Sequence, residues 1–214
     1  MVNEGDELEL KIIRIEPERR RLGLSLKQIV DGSDAEVAET PKPSEDIPDG
    51  FGDIFEENEF TLNVVHTPGH ASNHLCYILE EEEFIFTGDH IMNGSTVVIG
   101  PPDGNMKHYL DSLEKLKSFN LTKIAPGHGE VLDKPHEVAE WIISHRLHRE
   151  EKVASALKEA TKGNPESLVS KVYDDVDSSL FPIAKASLLA HLIKLEEDNL
   201  ASKEGDVFIW KGTI

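Results

Sequence analysis

Phe60-Thr61-Leu62-Asn63-Val64-Val65-His66-Thr67-Pro68-Gly69-His70 is the stretch on which the fold of this chain turns. Phe60 to Val65 reads as a strand, and the Pro-Gly turn that ends it presents His70 at the strand's carboxyl end, the usual place for sites in layered α/β proteins. The same arrangement recurs twice downstream. Glu83-Phe84-Ile85-Phe86-Thr87 is a strand followed by Gly88, which lets the backbone approach closely before Asp89. Lys123-Ile124-Ala125 is a short buried strand that runs into Pro126-Gly127-His128-Gly129. Two imidazoles and a carboxylate on separate strand ends suit Zn²⁺, with Mn²⁺ or Fe²⁺ as weaker alternatives. Singly, each motif is weak, because His after Pro-Gly is commonly a turn residue and Gly-Asp is ordinary loop chemistry. Their order carries the signal.

Working outward, His74-Leu75-Cys76-Tyr77-Ile78-Leu79 reads as a further strand, and Met106, Tyr109, Leu110, Leu113 and Leu116 recur at helical spacing, with Asp103 or Asn105 as cap. A second helix starts at Pro135, carries Val138, Trp141 and Ile142, and continues through His145 to Leu157. Strands interleaved with helices mean an α/β layer arrangement. From Asn164 the character changes. Helical patterns at 165–173 and 182–195 precede a hairpin over 200–210 turning at Glu204-Gly205-Asp206, which suggests a small winged-helix unit. Upstream, Leu8 to Ile13 and Leu22 to Lys27 alternate apolar and polar around a charged turn, a hairpin signal. Gly32 to Gly52 is rich in Pro, Asp, Glu and Ser without a sustained period, as a solvated linker is.

Composition excludes several function classes. The 214 residues suffice for one or two domains, and 38% hydrophobic with 29% charged residues is ordinary for a globular protein. The formal charge of −19 disfavours nucleic acid and membrane surfaces, which need a basic face. Eleven acidic residues against Lys42 between Asp31 and Phe60 contribute −10 of it. No apolar run suffices for a bilayer span and the start lacks signal-peptide features, so a cytoplasmic location is expected. One cysteine, Cys76, leaves no intrachain disulfide and no thiolate cluster, so a transition metal must be held by His and carboxylates.

The series Thr67-Pro68-Gly69-His70, Thr87-Gly88-Asp89 and Pro126-Gly127-His128-Gly129 resembles the later ligand motifs of the metallo-β-lactamase superfamily. Residues 60–148, with Gly88-Asp89-His90-Ile91-Met92, Tyr109-Leu110-Asp111-Ser112-Leu113 and Ile143-Ser144-His145-Arg146, are similar in particular to its β-lactamase-like protein 2 branch, which ends in a winged-helix-like region. The resemblance implies an α/β fold, the second half of the αββα sandwich, with a winged-helix-like α+β tail, preceded here by the N-terminal β-hairpin read from alternation. Residues 5–28, Gly5-Asp6-Glu7-Leu8 through Lys27, resemble the closing strands of a ribosomal protein S1 domain, but no Phe, Tyr or Trp precedes Phe51 to form an RNA-stacking face. The expected organisation is an S1-like fragment at 1–30, an acidic linker at 31–47, the hydrolase-like half at 48–148 and the winged-helix-like domain at 149–214.

Carried over, the resemblance implies that His70 binds one zinc, Asp89 bridges two and acts as the catalytic carboxylate, and His128 binds the second. It further implies hydrolysis of an ester or thioester, or of a phosphodiester in single-stranded RNA, by a metal-bound hydroxide. One departure matters. The family's H-x-H-x-D-H motif is absent, for no histidine precedes His66, and three ligands cannot fill two four-coordinate sites. Weak zinc binding and incomplete coordination are therefore expected, and activity does not follow from the ligands alone. A rival reading is a non-catalytic nucleic-acid or partner-binding protein using the S1-like and winged-helix-like segments.

The remaining candidates have blander readings. His90, next to Asp89, is placed to donate a hydrogen bond behind the ligands. His66 and His74 lie on or beside strands, where a spacing of four does not converge, and both read as ordinary. His145 and His148 with Arg146 and Arg149 read as a solvated helix face, or else as contacts to an anionic substrate. Lys185 and Lys194 are balanced by Glu196, Glu197 and Asp198, so packing or dimerisation is favoured over DNA binding for the tail. Half a sandwich exposes a sheet face and edge, so self-association is expected.

Overall fold

The computed structural model describes residues 60–212 together with the backbone of two strands nearer the start, β1 (Lys11–Glu16) and β2 (Arg21–Ser25). β1 and β2 pair antiparallel with a register shift between Ile12 and Arg14, so the hairpin expected from alternation is present. The expected turn at 16–19 and the acidic linker at 31–47 lie largely or wholly outside the described residues. The chain divides into two compact units, residues 1–58 and 59–214.

In the second unit, β3 (Leu62–His66), β4 (Leu75–Leu79), β5 (Phe84–Gly88), β6 (Lys123–Pro126) and β7 (Leu132–Asp133) form one sheet in chain order. The β3/β4, β4/β5 and β6/β7 pairs are antiparallel, while β5 and β6 run parallel. A parallel pair needs a crossover, and α1 (Met106–Leu116) supplies it. Asn105 caps α1, its side chain accepting from the His108 N–H. Strand alternation sends Val65, Cys76, Ile78, Ile85 and Ile124 to one face, where Tyr109, Leu113 and Leu116 of α1 and Ile142 bury them in a continuous core. The opposite face carries Leu62, Val64, Tyr77, Leu79, Phe84 and Phe86, each only half-buried.

α2 (Pro135–Ala160) begins against this sheet and ends in a second core. There α3 (Pro165–Val172) and α4 (Phe181–Glu197) pack beside a three-stranded sheet of β8 (Lys162–Gly163), β10 (Val207–Trp210) and β9 (Ala201–Glu204). Val153, Leu157, Leu168, Leu188, Leu192 and Phe208 fill that core. The expected boundary at 148/149 falls within α2, which places Ile142 in the first core and Val153 in the second. α4 is likewise shared, with Ala190 in the first core and Leu188 in the second.

The solvated-face reading of α2 holds for His148, whose side chain is 74% exposed, and is corrected for the two arginines. Arg146 and Arg149 are 5% and 8% exposed, so neither lies on a solvated face or is free to meet an anionic substrate. Arg149 forms a bidentate pair with Asp175 at 2.8 and 3.1 Å, donates to the Val172 carbonyl and lies over the Tyr173 ring. Arg146 donates to the Val97 carbonyl and lies over Tyr109. Both long side chains join segments whose backbone carbonyls would otherwise be buried without a donor.

Candidate metal centre

Three loops at one end of the first sheet bring His70, Asp89 and His128 together. The loop after β3 is held from two sides. The Gly69 carbonyl accepts from the Asn105 N–H at 2.8 Å, and the Pro68 carbonyl accepts from the Ser112 hydroxyl at 2.7 Å, which ties it to α1. Gly69 has φ +139°, and a Cβ there would stand 2.3 Å from the Tyr109 Cα. Only glycine fits. The loop therefore passes close over α1 and turns His70 back toward the sheet.

His70 Nδ1 donates to the Val98 carbonyl at 2.9 Å. A carbonyl can only accept, so this bond fixes the tautomer and leaves the Nε2 lone pair available on the other side of the ring. That Nε2 lies 4.0 Å from Asp89 Oδ2. His128 Nε2 lies 3.3 Å from Asp89 Oδ1. Each oxygen of one carboxylate thus faces one imidazole nitrogen.

Close backbone packing makes this possible. Gly88 takes φ +50°, and its carbonyl accepts from the Gly127 N–H at 2.7 Å. A Cβ at Gly127 would stand 2.9 Å from Asp89 Oδ1 and 3.0 Å from the Gly88 carbonyl, so a larger residue would push the carboxylate aside. The His128 carbonyl accepts from the Asn93 N–H at 3.2 Å, which joins the third loop to the segment after Asp89.

Chemically, imidazole nitrogen and carboxylate oxygen are both zinc donors. Two ligands of a tetrahedral zinc at ~2.1 Å stand roughly 3.4 Å apart, close to the His128–Asp89 separation and shorter than the His70–Asp89 one. A group of three His, Cys, Asp or Glu around one point is not found among the described residues. The donors pair off on Asp89, one histidine nitrogen to each carboxylate oxygen. Asp89 and His128 side chains are 44% and 72% exposed, so the pair is open to a substrate.

Histidines beside the cluster have other work. His90 is fully buried, and both ring nitrogens lack hydrogen-bond partners, so it makes no bond to Asp89. Its ring packs edge-on against Tyr109 and beside His74, and burial holds its pKa down to about 3. His74, which reads as ordinary in the sequence, is hydrogen-bonded to Thr67 at 2.9 Å and packs between His70 and His90. Burial and the neighbouring His70 lower its pKa. No spacing signal marks it, because its place comes from the β3/β4 register. His66 donates to the Ser72 carbonyl. Cys76 is buried with its thiol pushed up to about 12, so it stays a packing residue as expected.

Residues 9–128 match the Metallo-beta-lactamase superfamily, and residues 165–210 match the Beta-lactamase associated winged helix domain. The chain belongs to the metallo-beta-lactamase superfamily. Within it, a Beta-lactamase-like protein 2 homolog from Caenorhabditis elegans is 33% identical over 153 residues, 71% of this chain and 50% of that protein. An Atrochrysone carboxyl ACP thioesterase from Aspergillus chevalieri is 39% identical over 115 residues, 53% of this chain and 35% of that protein. Among solved structures, a metallo-beta-lactamase family protein from Thermus thermophilus superposes with a TM-score of 0.62 at 24% identity, covering 72% of this chain and 52% of that one. This last likeness speaks for the fold. The chain spans about half the length of the curated relatives it matches. No helix among the described residues is long and apolar enough to cross a membrane.

Proposed function

We propose that this superfamily member is a zinc-dependent hydrolase of ester or thioester bonds, with His70, Asp89 and His128 as its metal ligands and Asp89 the shared one. The observation that carries the reading is one carboxylate whose two oxygens each face an imidazole nitrogen, at 3.3 and 4.0 Å. A bound divalent ion supplies Lewis acidity, polarising a carbonyl and making water more acidic. The chain's own residues do the rest. Val98 orients His70, Gly127 keeps Asp89 within reach of both rings, and the open side of His128 admits a substrate. The thioesterase name borne by the Aspergillus chevalieri relative supports the substrate class.

Purified protein assayed for zinc by elemental analysis and for hydrolysis of acetyl thioesters tests this. Asp89→Ala should lower both zinc content and turnover by about 100-fold or more, since even residues behind metal ligands are worth ~10 to 100-fold. Equal zinc content and equal turnover in Asp89→Ala would overturn the assignment.

A further inference from the structure

Between the segment that follows Asp89 and the start of α2 lies an open cleft of about 460 Å³, within the ~300 to 1,000 Å³ range of small-molecule sites. One wall is the segment that follows Asp89, Met92 to Ser95, and the other is the first turns of α2 with Val138, Trp141 and Ile142. The segment is joined to the metal loops. Asn93 donates its backbone N–H to the His128 carbonyl and its side-chain amide to the Glu130 carbonyl, both at 3.2 Å. One wall of the cleft is therefore bonded directly to the loop that carries His128.

Trp141 is the unusual wall residue. It is 60% exposed, although tryptophan is on average highly buried and its exposure leaves a large apolar area in water. Its ring is held in place by His145 one turn on, stacked at 5.4 Å with an interplanar angle of 16°. Burial, then Arg146 and Arg149, lower the His145 pKa, which favours a neutral ring in the stack. The charges of the wall largely cancel. Lys134 pairs with Glu137 at 3.0 Å, leaving Asp133 as the remaining charge. A flat, fixed and exposed π-face, over which no cation lies among the described residues, suits a flat neutral ligand better than an anion. The exposed indole offers one flat apolar face, which a second ring covers more fully than a flexible alkyl chain does.

We propose that this cleft binds a planar, uncharged aromatic group stacked on Trp141, as the recognition element of the substrate whose scissile bond lies toward Asp89 and His128. The placement of that bond rests on the hydrolase reading, whereas binding of the ring does not. Isothermal titration of the full chain, treated with EDTA, separates the two. 2-Naphthamide should bind saturably, with hexanamide and 2-naphthoate each at least tenfold weaker. Trp141→Ala should weaken naphthamide by roughly tenfold, as loss of an aromatic stacking partner does, and Trp141→Phe should recover most of it. Equal affinity in Trp141→Ala, a preference for hexanamide or naphthoate, or no saturable binding would overturn the proposal. Hydrolysis of S-2-naphthyl thioacetate by the zinc-loaded protein is measured in parallel. Naphthamide binding without hydrolysis refutes the hydrolase reading and supports the cleft, while hydrolysis without naphthamide binding refutes the cleft alone.

Discussion

Histidine meets carboxylate at the sheet end and again between α2 and α4, with opposite fates. At the sheet end, His70, Asp89 and His128 direct ring nitrogens at a half-exposed carboxylate. Between α2 and α4, Glu150 bonds Lys194 at 2.8 Å and meets His191 at 3.3 Å, while Lys194 also bonds Asp198 at 2.7 Å. In this second cluster Glu150 and Lys194 side chains are 14% and 12% exposed, and His191 is fully buried. Burial alone would push the Glu150 carboxyl up, but His191 and Lys194 outweigh it and hold it below its usual range. The inner cluster turns Glu150, Lys194 and one ring nitrogen of His191 onto one another and joins two helices, while the buried His191 Nε2 has no partner. The outer one leaves its donors to a ligand. Both set imidazole against carboxylate; the lysine that neutralises Glu150 and the exposure of Asp89 separate a brace from a site.

The sharpest way to break this comparison is to remove one carboxylate from each cluster. Glu150→Ala leaves Lys194 with Asp198 alone and the buried His191 without its carboxylate, and should cost about 2 kcal/mol in urea unfolding, as loss of a buried hydrogen-bond partner does. Asp89→Ala in the EDTA-treated protein should cost no more than about 0.5 kcal/mol, as exposed positions do. Equal losses would mean that the two clusters play the same structural part. A smaller effect is expected from Gly127→Ala. Its Cβ would displace Asp89 Oδ1, so zinc affinity should fall by roughly 10 to 100-fold by competition with a chelating dye, while the fold persists.

The smallest effect concerns the exposed carboxylate that caps a buried arginine. Hydrogen bonding to Arg149 holds the Asp175 pKa down from its ordinary 3.8 to about 2. A depressed carboxylate stabilises the fold fully above its unfolded pKa, and that contribution is lost as pH falls through the folded one. Wild type should therefore exceed Asp175→Asn in thermal midpoint by a constant margin above about pH 4.5, and the margin should shrink toward about pH 2. A margin unchanged by acid would remove the pair from the stability of the tail.

Much of the fold was legible because strands and helices here follow their local periods. The strands expected at 60–65, 74–79, 83–87 and 123–125 appear within about two residues at each end, and Asn105 caps its helix. The winged-helix tail was equally readable, except for β8. Two residues, Lys162–Gly163, are too short to show a period, and only pairing with β10 makes them a strand. Arg146 and Arg149 misled, since a charged residue's sequence gives no sign that a carbonyl or an aromatic ring awaits it inside.

By itself the sequence determined the order of elements, the three loops and the identity of the donors. These follow from hydrophobic period and from glycines that only a close turn requires, and both are local. Tertiary structure alone decided that Val98 sets the His70 tautomer, that His74 fills the wall behind it, and that Trp141 faces a cleft instead of the core. Each depends on residues distant in sequence meeting across elements, and such meetings are set by packing and register, which no local pattern encodes.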